Sequence, residues 1–446
     1  MNFDLSSVPA FVGGVLAVAL GLAISIALHE VGHLVPAKLF GVKVTQYMVG
    51  FGKTVFSVKR GETEYGLKAI PLGGYIAMIG MYPPVASGAK ARTATTGVFN
   101  QLVQDARDTS ASTIGADEDG RAFYRLPVWK RIVIMLGGPS VNLLLGILFY
   151  AIVIMGFGVA SSSTTIGAVS QCVLPATSTS QTCAADDPAA PGAAAGLRPG
   201  DTIVSIDGVP TGTWLQATQT IRDSAGEQLT FVVERDGADV TIEATPLLTE
   251  RYVVDDEGAT VLGEDGEPQT TEVGVLGIGT QQVLAPQPAS AVLPAVGDNI
   301  SAVAHVILNL PQRLIDVAQA AFGPEERDPN GPISVVGVGR LAGEVASLDS
   351  IPVDSKIASI IGILASLNIA LFVFNLVPLV PLDGGHVLTA LWEGTKRGFA
   401  KLRRKPDPGP VDAAKLMPLT FTVVIILGGM SALLIYADIV KPISVL

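Results

Sequence analysis

The chain has 446 residues, of which 49% are hydrophobic and only 15% charged, and its formal net charge is −11. So few charged residues in so long a chain are typical of a membrane protein and argue against a pair of soluble domains. The sequence has no basic patch with interleaved aromatic residues, so it predicts no nucleic-acid partner.

Four segments are long and apolar enough to cross a membrane, which takes about 20 residues. They lie in residues 1–40, 132–160, 356–399 and 416–446. Lys and Arg residues concentrate between the first two spans and in residues 400–415, so the positive-inside rule places both segments in the cytoplasm. Both termini and the acidic segment between the second and third spans then lie on the opposite side.

The first span contains His29, Glu30 and His33, which form an H-E-x-x-H motif. On a helix, two histidines four residues apart lie on one face, so both imidazoles can reach one metal ion. Zinc suits neutral imidazole ligands, and Glu30 lies where it can reach a zinc-bound water as a general base. Ionisable side chains are costly inside a membrane and generally serve a function there, so the motif predicts a catalytic zinc site in this span.

Residues 41–83 alternate between apolar and polar residues around a glycine-containing turn, which predicts β-hairpins. The end of this segment, which contains Gly74 and Tyr75, is too short and too rich in glycine for a spanning helix. We therefore expect a sheet that dips into the membrane beside the zinc, where a substrate strand can add to its edge. A plain cytoplasmic hairpin is the alternative. Residues 84–131 predict a polar cytoplasmic loop with one short helix at 98–107.

The second span, residues 132–160, begins with a run of small residues that includes Gly137, Gly138 and Pro139 and ends at Asn142. Small residues let two helices approach closely, and an asparagine can hydrogen-bond to a neighbouring helix. Packing is the simpler interpretation of this run, and a part in shaping the active site is the alternative.

Residues 161–250 contain a helix end, a Pro-Gly turn, a strand, an Asp-Gly turn, a helix and two further strands. This order resembles a PDZ domain, which binds extended peptides by strand addition; shielding of an active-site entrance is the alternative role. Cys172 and Cys183 lie in the same segment, and an oxidising compartment permits a disulfide bond between them. Residues 251–355 predict an acidic extension with strands, followed by an amphipathic helix at 292–322.

The third span, residues 356–399, carries Asn368 and Asn375 on one helix face, and two prolines then interrupt the helix just before Asp383. Broken helices are where membrane proteins build binding sites. Asp383 is the predicted third ligand, since two histidines, one carboxylate and one water complete a tetrahedral zinc site. His386 is the alternative ligand.

These motifs together resemble the site-2 protease family of intramembrane metalloproteases, in particular the bacterial group with a PDZ domain between the second and third spans. The single PDZ-like module and the long insert after residue 83 resemble the actinobacterial branch. The resemblance implies a polytopic α-helical membrane protein with four transmembrane helices, a membrane-dipping β-sheet and an extracytoplasmic PDZ-like α+β domain. It also implies a zinc ion held by His29, His33 and Asp383, with Glu30 as the catalytic base. The residues expected to bind substrate are Asn375, Asn368, Asn142, Gly74 and Tyr75.

The activity that the resemblance implies is hydrolysis of peptide bonds in transmembrane segments, as a step of regulated intramembrane proteolysis. Its substrates would be single-span proteins, such as anti-sigma factors or signal-peptide remnants, already trimmed outside by an upstream site-1-type protease. The enzyme would reside in the bacterial inner membrane, in contact with the lipid bilayer. The alternative is a non-catalytic membrane scaffold or metal-handling protein with a PDZ-like peptide-binding module. Glu30 argues against that alternative, because a structural zinc site needs no adjacent base.

Overall fold

The computed structural model divides the chain into two compact units. The helical unit consists of Met1–Phe157 and Pro288–Leu446, and the sheet unit consists of Gly158–Gln287. The helix predicted at 98–107 lies outside the residues that the structure describes. The described residues, in which the side chains of 71, 72 and 413 are not included, are 7–82, 113–115, 118–175, 178, 182–184, 186–253, 260–263, 267–324, 327–328, 331–349, 351–411 and 413–443.

In chain order the described α-helices and strands are α1 (Val8–Leu39), β1 (Val44–Arg60), β2 (Thr63–Met78), α2 (Val128–Ala151), β3 (Val159–Val169), α3 (Pro191–Ala195), β4 (Thr202–Ile206), β5 (Val209–Pro210), α4 (Trp214–Asp223), β6 (Leu229–Arg235), β7 (Ala238–Ala244), β8 (Leu247–Tyr252), β9 (Thr270–Val275), β10 (Ile278–Ala285), α5 (Val292–Leu308), α6 (Leu310–Phe322), α7 (Val335–Ser347), α8 (Val353–Asn375), α9 (Asp383–Leu402) and α10 (Met417–Val440).

Five helical segments of the described chain are long and apolar enough to cross a membrane, so the count of four is not confirmed. The additional segment is Ala289–Leu308, which overlaps the single amphipathic helix expected at 292–322. The chain instead forms two helices there, with Pro311 in the first turn of α6. A proline cannot donate a hydrogen bond to the preceding turn, so it ends one helix and starts the next.

The segment 356–399 is not one continuous helix. Helix α8 ends at Asn375 and α9 begins at Asp383. Pro378 and Pro381 lie between them, and prolines both lack a donor and disfavour the helical conformation of the residue before them. Asp383 is therefore the first residue of a new helix and not a residue inside a long span.

Helices α1 and α2 cross with their backbones in direct contact. A Cβ atom added to Gly137 would lie 2.0 Å from the carbonyl oxygen of Gly32, and one added to Gly32 would lie 2.4 Å from that of Gly137. Any larger residue at either position would force the helices apart. Since Gly32 lies inside the H-E-x-x-H motif, the crossing brings α2 directly against that turn of α1.

The β1–β2 hairpin is fixed to the helices at its base. Val44 of β1 and Met78 of β2 are buried in one apolar cluster with Leu34 of α1 and Ile134 of α2. The hydroxyl of Tyr47 also donates to the carbonyl oxygen of Ala27 in α1, at 2.8 Å. Toward its turn the hairpin has no such cover, and large apolar side chains there are exposed: Phe51, Val55, Phe56, Val58, Leu67 and Ile70.

The sheet unit is built on antiparallel strands in the order β10-β3-β4-β6-β7, with β5 paired to β4. Strand β10 pairs with β3, so this unit extends well beyond the boundary at residue 250 drawn from the sequence. Phe231 and Ile203 lie at the centre of its core, and α4 covers that core with Ala217 and Ile221. Cys172 and Cys183 form a disulfide bond whose Cα atoms are 5.8 Å apart.

Candidate metal centre

Helix α1 places His29 and His33 one turn apart on a single face. Their Nε2 atoms lie only 3.1 Å from each other. The Nδ1 atom of His33 lies 2.7 Å from the carbonyl oxygen of Ile134 in α2, and a carbonyl can only accept. In its neutral form His33 therefore carries its proton on Nδ1, and its Nε2 presents a lone pair.

The third member of the group is Asp383, the first residue of α9. Its Oδ2 atom lies 3.4 Å from Nε2 of His29 and 3.3 Å from Nε2 of His33. In the part of the chain that the structure describes, these three residues are the one set of His, Cys, Asp or Glu side chains arranged to hold a metal ion. His386, the alternative ligand, does not belong to that set.

The spacing of the three atoms fits zinc. Ligand atoms about 2.0–2.1 Å from a tetrahedral zinc lie roughly 3.3–3.4 Å from one another, and the three separations here are 3.1, 3.3 and 3.4 Å. The Oδ2 atom of Asp383 is buried and has no hydrogen-bond donor among the described residues. Lone pairs facing each other at these distances repel, and a divalent cation between them removes the repulsion.

Gly138 of α2 leaves the space that such an ion needs. A Cβ atom built on Gly138 would lie 2.3 Å from Nε2 of His33 and 2.6 Å from Nε2 of His29. A carbon atom cannot approach a nitrogen atom this closely, so a methyl group at this position would displace both candidate ligand atoms. From the sequence, packing was the simpler interpretation of this glycine and a part in shaping the active site was the alternative; its contact with both histidines favours the alternative.

Glu30 is buried beside the two histidines and is covered by the hairpin. A Cβ atom added to Gly74 of β2 would lie 2.9 Å from Cγ of Glu30, so only glycine fits there without displacing the glutamate. The backbone amide of Ile76 hydrogen-bonds to the Glu30 carboxylate. The hairpin therefore limits the access of water to this carboxylate and orients it.

The remaining residues that were expected to bind substrate make different kinds of contact. The Tyr75 hydroxyl donates to Gln46 within the hairpin at 3.1 Å. Asn368 is fully buried and donates to the Ser25 hydroxyl at 3.0 Å, so it joins α8 to α1. Asn142 is also fully buried, and its amide lies 3.0 Å from Nδ1 of His29. Asn375 is half-buried at the end of α8, and its side chain has no hydrogen bond to any described residue.

A buried ion pair that the sequence analysis missed holds α9 against α2. Arg131 of α2 pairs with Glu393 of α9, whose side chain is fully buried. Glu393 also accepts a hydrogen bond from the backbone of Val411 at 3.0 Å and lies 3.1 Å from the guanidinium of Arg397. Because α9 begins at Asp383, this cluster fixes the helix that carries the third candidate ligand. The Glu393–Arg397 spacing of four residues was the available signal.

Comparison with known proteins agrees with this geometry. The profile of peptidase family M50 matches residues 17–406. Zinc metalloprotease Rip1 of Mycobacterium tuberculosis is 33% identical, over 97% of this chain and 98% of its own length. Zinc metalloprotease Rip1 of Mycolicibacterium smegmatis is 32% identical over the same shares, and metalloprotease MmpA of Caulobacter vibrioides is 29% identical over 84% of this chain and 85% of its own.

The family match covers both distant parts of the candidate metal centre, since it begins before His29 and ends after Asp383. The two Rip1 relatives match 97% of the chain, and their names state both zinc and proteolysis. Together with the apolar helices, these findings describe an integral membrane enzyme that uses Zn²⁺ and acts on membrane substrates. The chain belongs to peptidase family M50, the site-2 protease family of zinc metalloproteases.

Proposed function

We propose that His29, His33 and Asp383 hold the zinc ion of this metalloprotease and that Glu30 is its general base. The observation that carries this proposal is the convergence of three ligand atoms at 3.1–3.4 Å from one another. They come from two helices far apart in the sequence, and Glu30 is adjacent to one of them. Their donor set of two nitrogens and one oxygen leaves a fourth position for water, as in catalytic zinc sites.

Zinc, when bound at this place, lowers the pKa of a water molecule toward about 7 and polarises the scissile carbonyl. Glu30 accepts a proton from the attacking water and later donates it to the nitrogen of the leaving amine. Gly74 and the Ile76 amide hold the glutamate in position for both transfers. The Ile134 carbonyl accepts a hydrogen bond from Nδ1 of His33 and fixes the orientation of the imidazole ring. Nε2 of His33 therefore stays directed at the zinc throughout the reaction.

The peptide bonds cleaved lie, in this proposal, within transmembrane segments. The supporting observation is that two of the ligands and the base belong to α1, a 32-residue apolar helix long enough to cross a membrane. A substrate helix must unwind first, because its carbonyls are committed to its own hydrogen bonds. The free amide of Asn375 and the outer edge of the two-stranded hairpin sheet near Tyr75 are suited to hold the unwound backbone.

The substrates, in this proposal, are single-span membrane proteins already trimmed by an upstream site-1-type protease, such as anti-sigma factors or signal-peptide remnants. The sheet unit, with its PDZ-like order of elements, lies on the outer side of the bacterial inner membrane and excludes untrimmed proteins. Its excess of acidic residues and the Cys172–Cys183 disulfide support that side, since basic loops stay in the cytoplasm and disulfides form in oxidising compartments.

The test compares Glu30→Gln with His33→Ala and Asp383→Ala in detergent-purified protein. Zinc content is measured by elemental analysis, and cleavage is measured on a single-span protein truncated on its outer side. Glu30→Gln should keep its zinc and lose about 10²- to 10⁴-fold in rate, the usual contribution of a general base. His33→Ala and Asp383→Ala should lose both zinc and cleavage.

Each variant can contradict a different part of the proposal. A wild-type rate of cleavage by Glu30→Gln would show that Glu30 is not the general base. Full zinc retention in Asp383→Ala would show that the third ligand is misassigned, and His386 would be the next candidate. Lost cleavage with unchanged zinc in Glu30→Gln excludes the non-catalytic scaffold.

A further inference from the structure

Asn142 of α2 and Asn368 of α8 are two fully buried asparagines that join their helices to α1. Asn368 donates to the hydroxyl of Ser25 and to the carbonyl oxygen of Leu364, at 3.0 and 2.8 Å. Asn142 contacts a residue of a different kind, because its amide lies 3.0 Å from Nδ1 of His29. One asparagine therefore contacts a structural hydroxyl, and the other contacts a candidate zinc ligand.

The protonation of His29 decides what Asn142 must supply. A neutral imidazole carries one proton, so a histidine that binds zinc through Nε2 has its proton on Nδ1. The group that faces Nδ1 must then be an acceptor. Asn142 offers an acceptor in its amide oxygen, which is buried and has no hydrogen bond to any described residue. Rotation of the Asn142 amide group by a half-turn brings its oxygen to Nδ1 of His29. This rotation breaks only the present contact between the amide nitrogen of Asn142 and Nδ1.

We propose that Asn142 is a positioning residue, which accepts a hydrogen bond from Nδ1–H of His29 and so holds Nε2 of His29 toward the zinc. The inference rests on the proposed ligand role of His29. It changes the role expected from the sequence, in which Asn142 was grouped with the residues that bind substrate. A fully buried side chain in contact with a ligand is placed to orient that ligand and not to contact a peptide.

Helix α2 contacts the Nδ1 atom of each histidine. The Ile134 carbonyl accepts from Nδ1 of His33, Gly138 leaves the space between the two Nε2 atoms, and Asn142 lies at Nδ1 of His29. These three residues of α2 follow one another at intervals of four, so they lie along one helix face. The ligands thus come from α1 and α9, and α2 supplies the groups that orient them.

The experiment measures zinc affinity, by competition with a chelator, for the full-length protein in detergent. Asn142→Leu keeps the approximate size of the side chain but has no acceptor, and it should bind zinc about 10- to 100-fold more weakly, the usual effect of removing the partner of a ligating histidine. Asn142→Asp should bind zinc at least as tightly as wild type, because both of its oxygens accept. Asn368→Leu, the matched control, should leave zinc affinity unchanged.

Three results would overturn the inference: wild-type zinc affinity in Asn142→Leu, equal losses in Asn142→Leu and Asn142→Asp, or an equal loss in Asn368→Leu, which would point to helix packing. If Asn142→Leu does not fold, Asn142→Asp decides alone, since weaker zinc binding than wild type contradicts the acceptor role. His29→Ala is measured in parallel. Zinc retained by His29→Ala would refute the proposed ligand set and not the contact of Asn142 with His29.

Discussion

Asp383 in the helical unit and Asp201 in the sheet unit are both aspartates with little exposure to solvent, 17% and 1% of the side chain respectively. Asp201 has donors on both oxygens. Arg235 donates to Oδ1 and Oδ2 at 2.7 Å each, and the backbone N–H of Arg198 donates to Oδ2 at 2.8 Å. Asp383 has two imidazole nitrogens within 3.4 Å of Oδ2 and no donor on that atom among the described residues.

This difference separates an aspartate that stabilises a fold from one that is arranged for a ligand. Burial of a carboxylate is costly unless its lone pairs are satisfied. At Asp201 the protein satisfies them with fixed donors, which ties the loop before β4 to the end of β6. At Asp383 the facing groups are two imidazole nitrogens, and in the proposed site a zinc ion supplies the positive charge. The two sites therefore predict opposite responses to substitution.

The strongest expected effect comes from closing the space beside Asp383. Gly138→Ala places a methyl group 2.3 and 2.6 Å from the two Nε2 atoms, which is too close for either imidazole to keep its position. We expect no zinc by elemental analysis and no cleavage, while Asp201 and the sheet unit stay unchanged.

Gly146→Ala is the matched control for Gly138→Ala on the same helix. Its added Cβ would lie 2.6 Å from Cδ1 of Ile369, which is the end of a flexible side chain and can move. This variant should keep its zinc. Zinc at wild-type stoichiometry in Gly138→Ala would contradict the proposal that His29 and His33 hold the ion together.

The sequence predicts the part of the metal centre that depends on local geometry. His29, Glu30 and His33 are spaced for one helix face, and that spacing can be read without a fold. The partner of Asn142 could not be read in this way, because it depends on how α2 crosses α1 at Gly32 and Gly137. The Ile134 carbonyl carries no signal at all, since every residue has one.

The fold shows the same limit. Prolines are local signals, and those before Asp383 predicted an interruption where α8 ends and α9 begins. The break between α5 and α6 was missed although Pro311 is a local signal of the same kind. Strand β10 joins β3 from more than a hundred residues away, and no periodicity within either strand specifies such a partner. The boundary at residue 250 was drawn too early for that reason.

A smaller effect is expected when the satisfied aspartate is changed. Asp201→Asn removes the charge and one acceptor from a carboxylate that Arg235 and the Arg198 amide surround. We expect the unfolding midpoint of the sheet unit to fall by roughly 3–6 °C for each kcal/mol of stability lost, measured by a thermal melt of the full chain, with zinc content unchanged. Asp239→Asn, at an exposed position of β7, is the control. Loss of zinc in Asp201→Asn would contradict the assignment of Asp201 to fold stability alone.

The smallest effect concerns pH. The Arg235 guanidinium that hydrogen-bonds to Asp201 lowers the pKa of that carboxyl below its ordinary value. A group with a lowered pKa in the folded state stabilises the fold fully above its unfolded pKa, about 3.9 for aspartate, and loses this contribution as the pH falls through the folded pKa. Wild type should therefore exceed Asp201→Asn in stability by a constant amount near neutral pH, and the two melting curves should converge only below about pH 4. Convergence between pH 5 and 7 would show that another group controls the acid stability of the sheet unit.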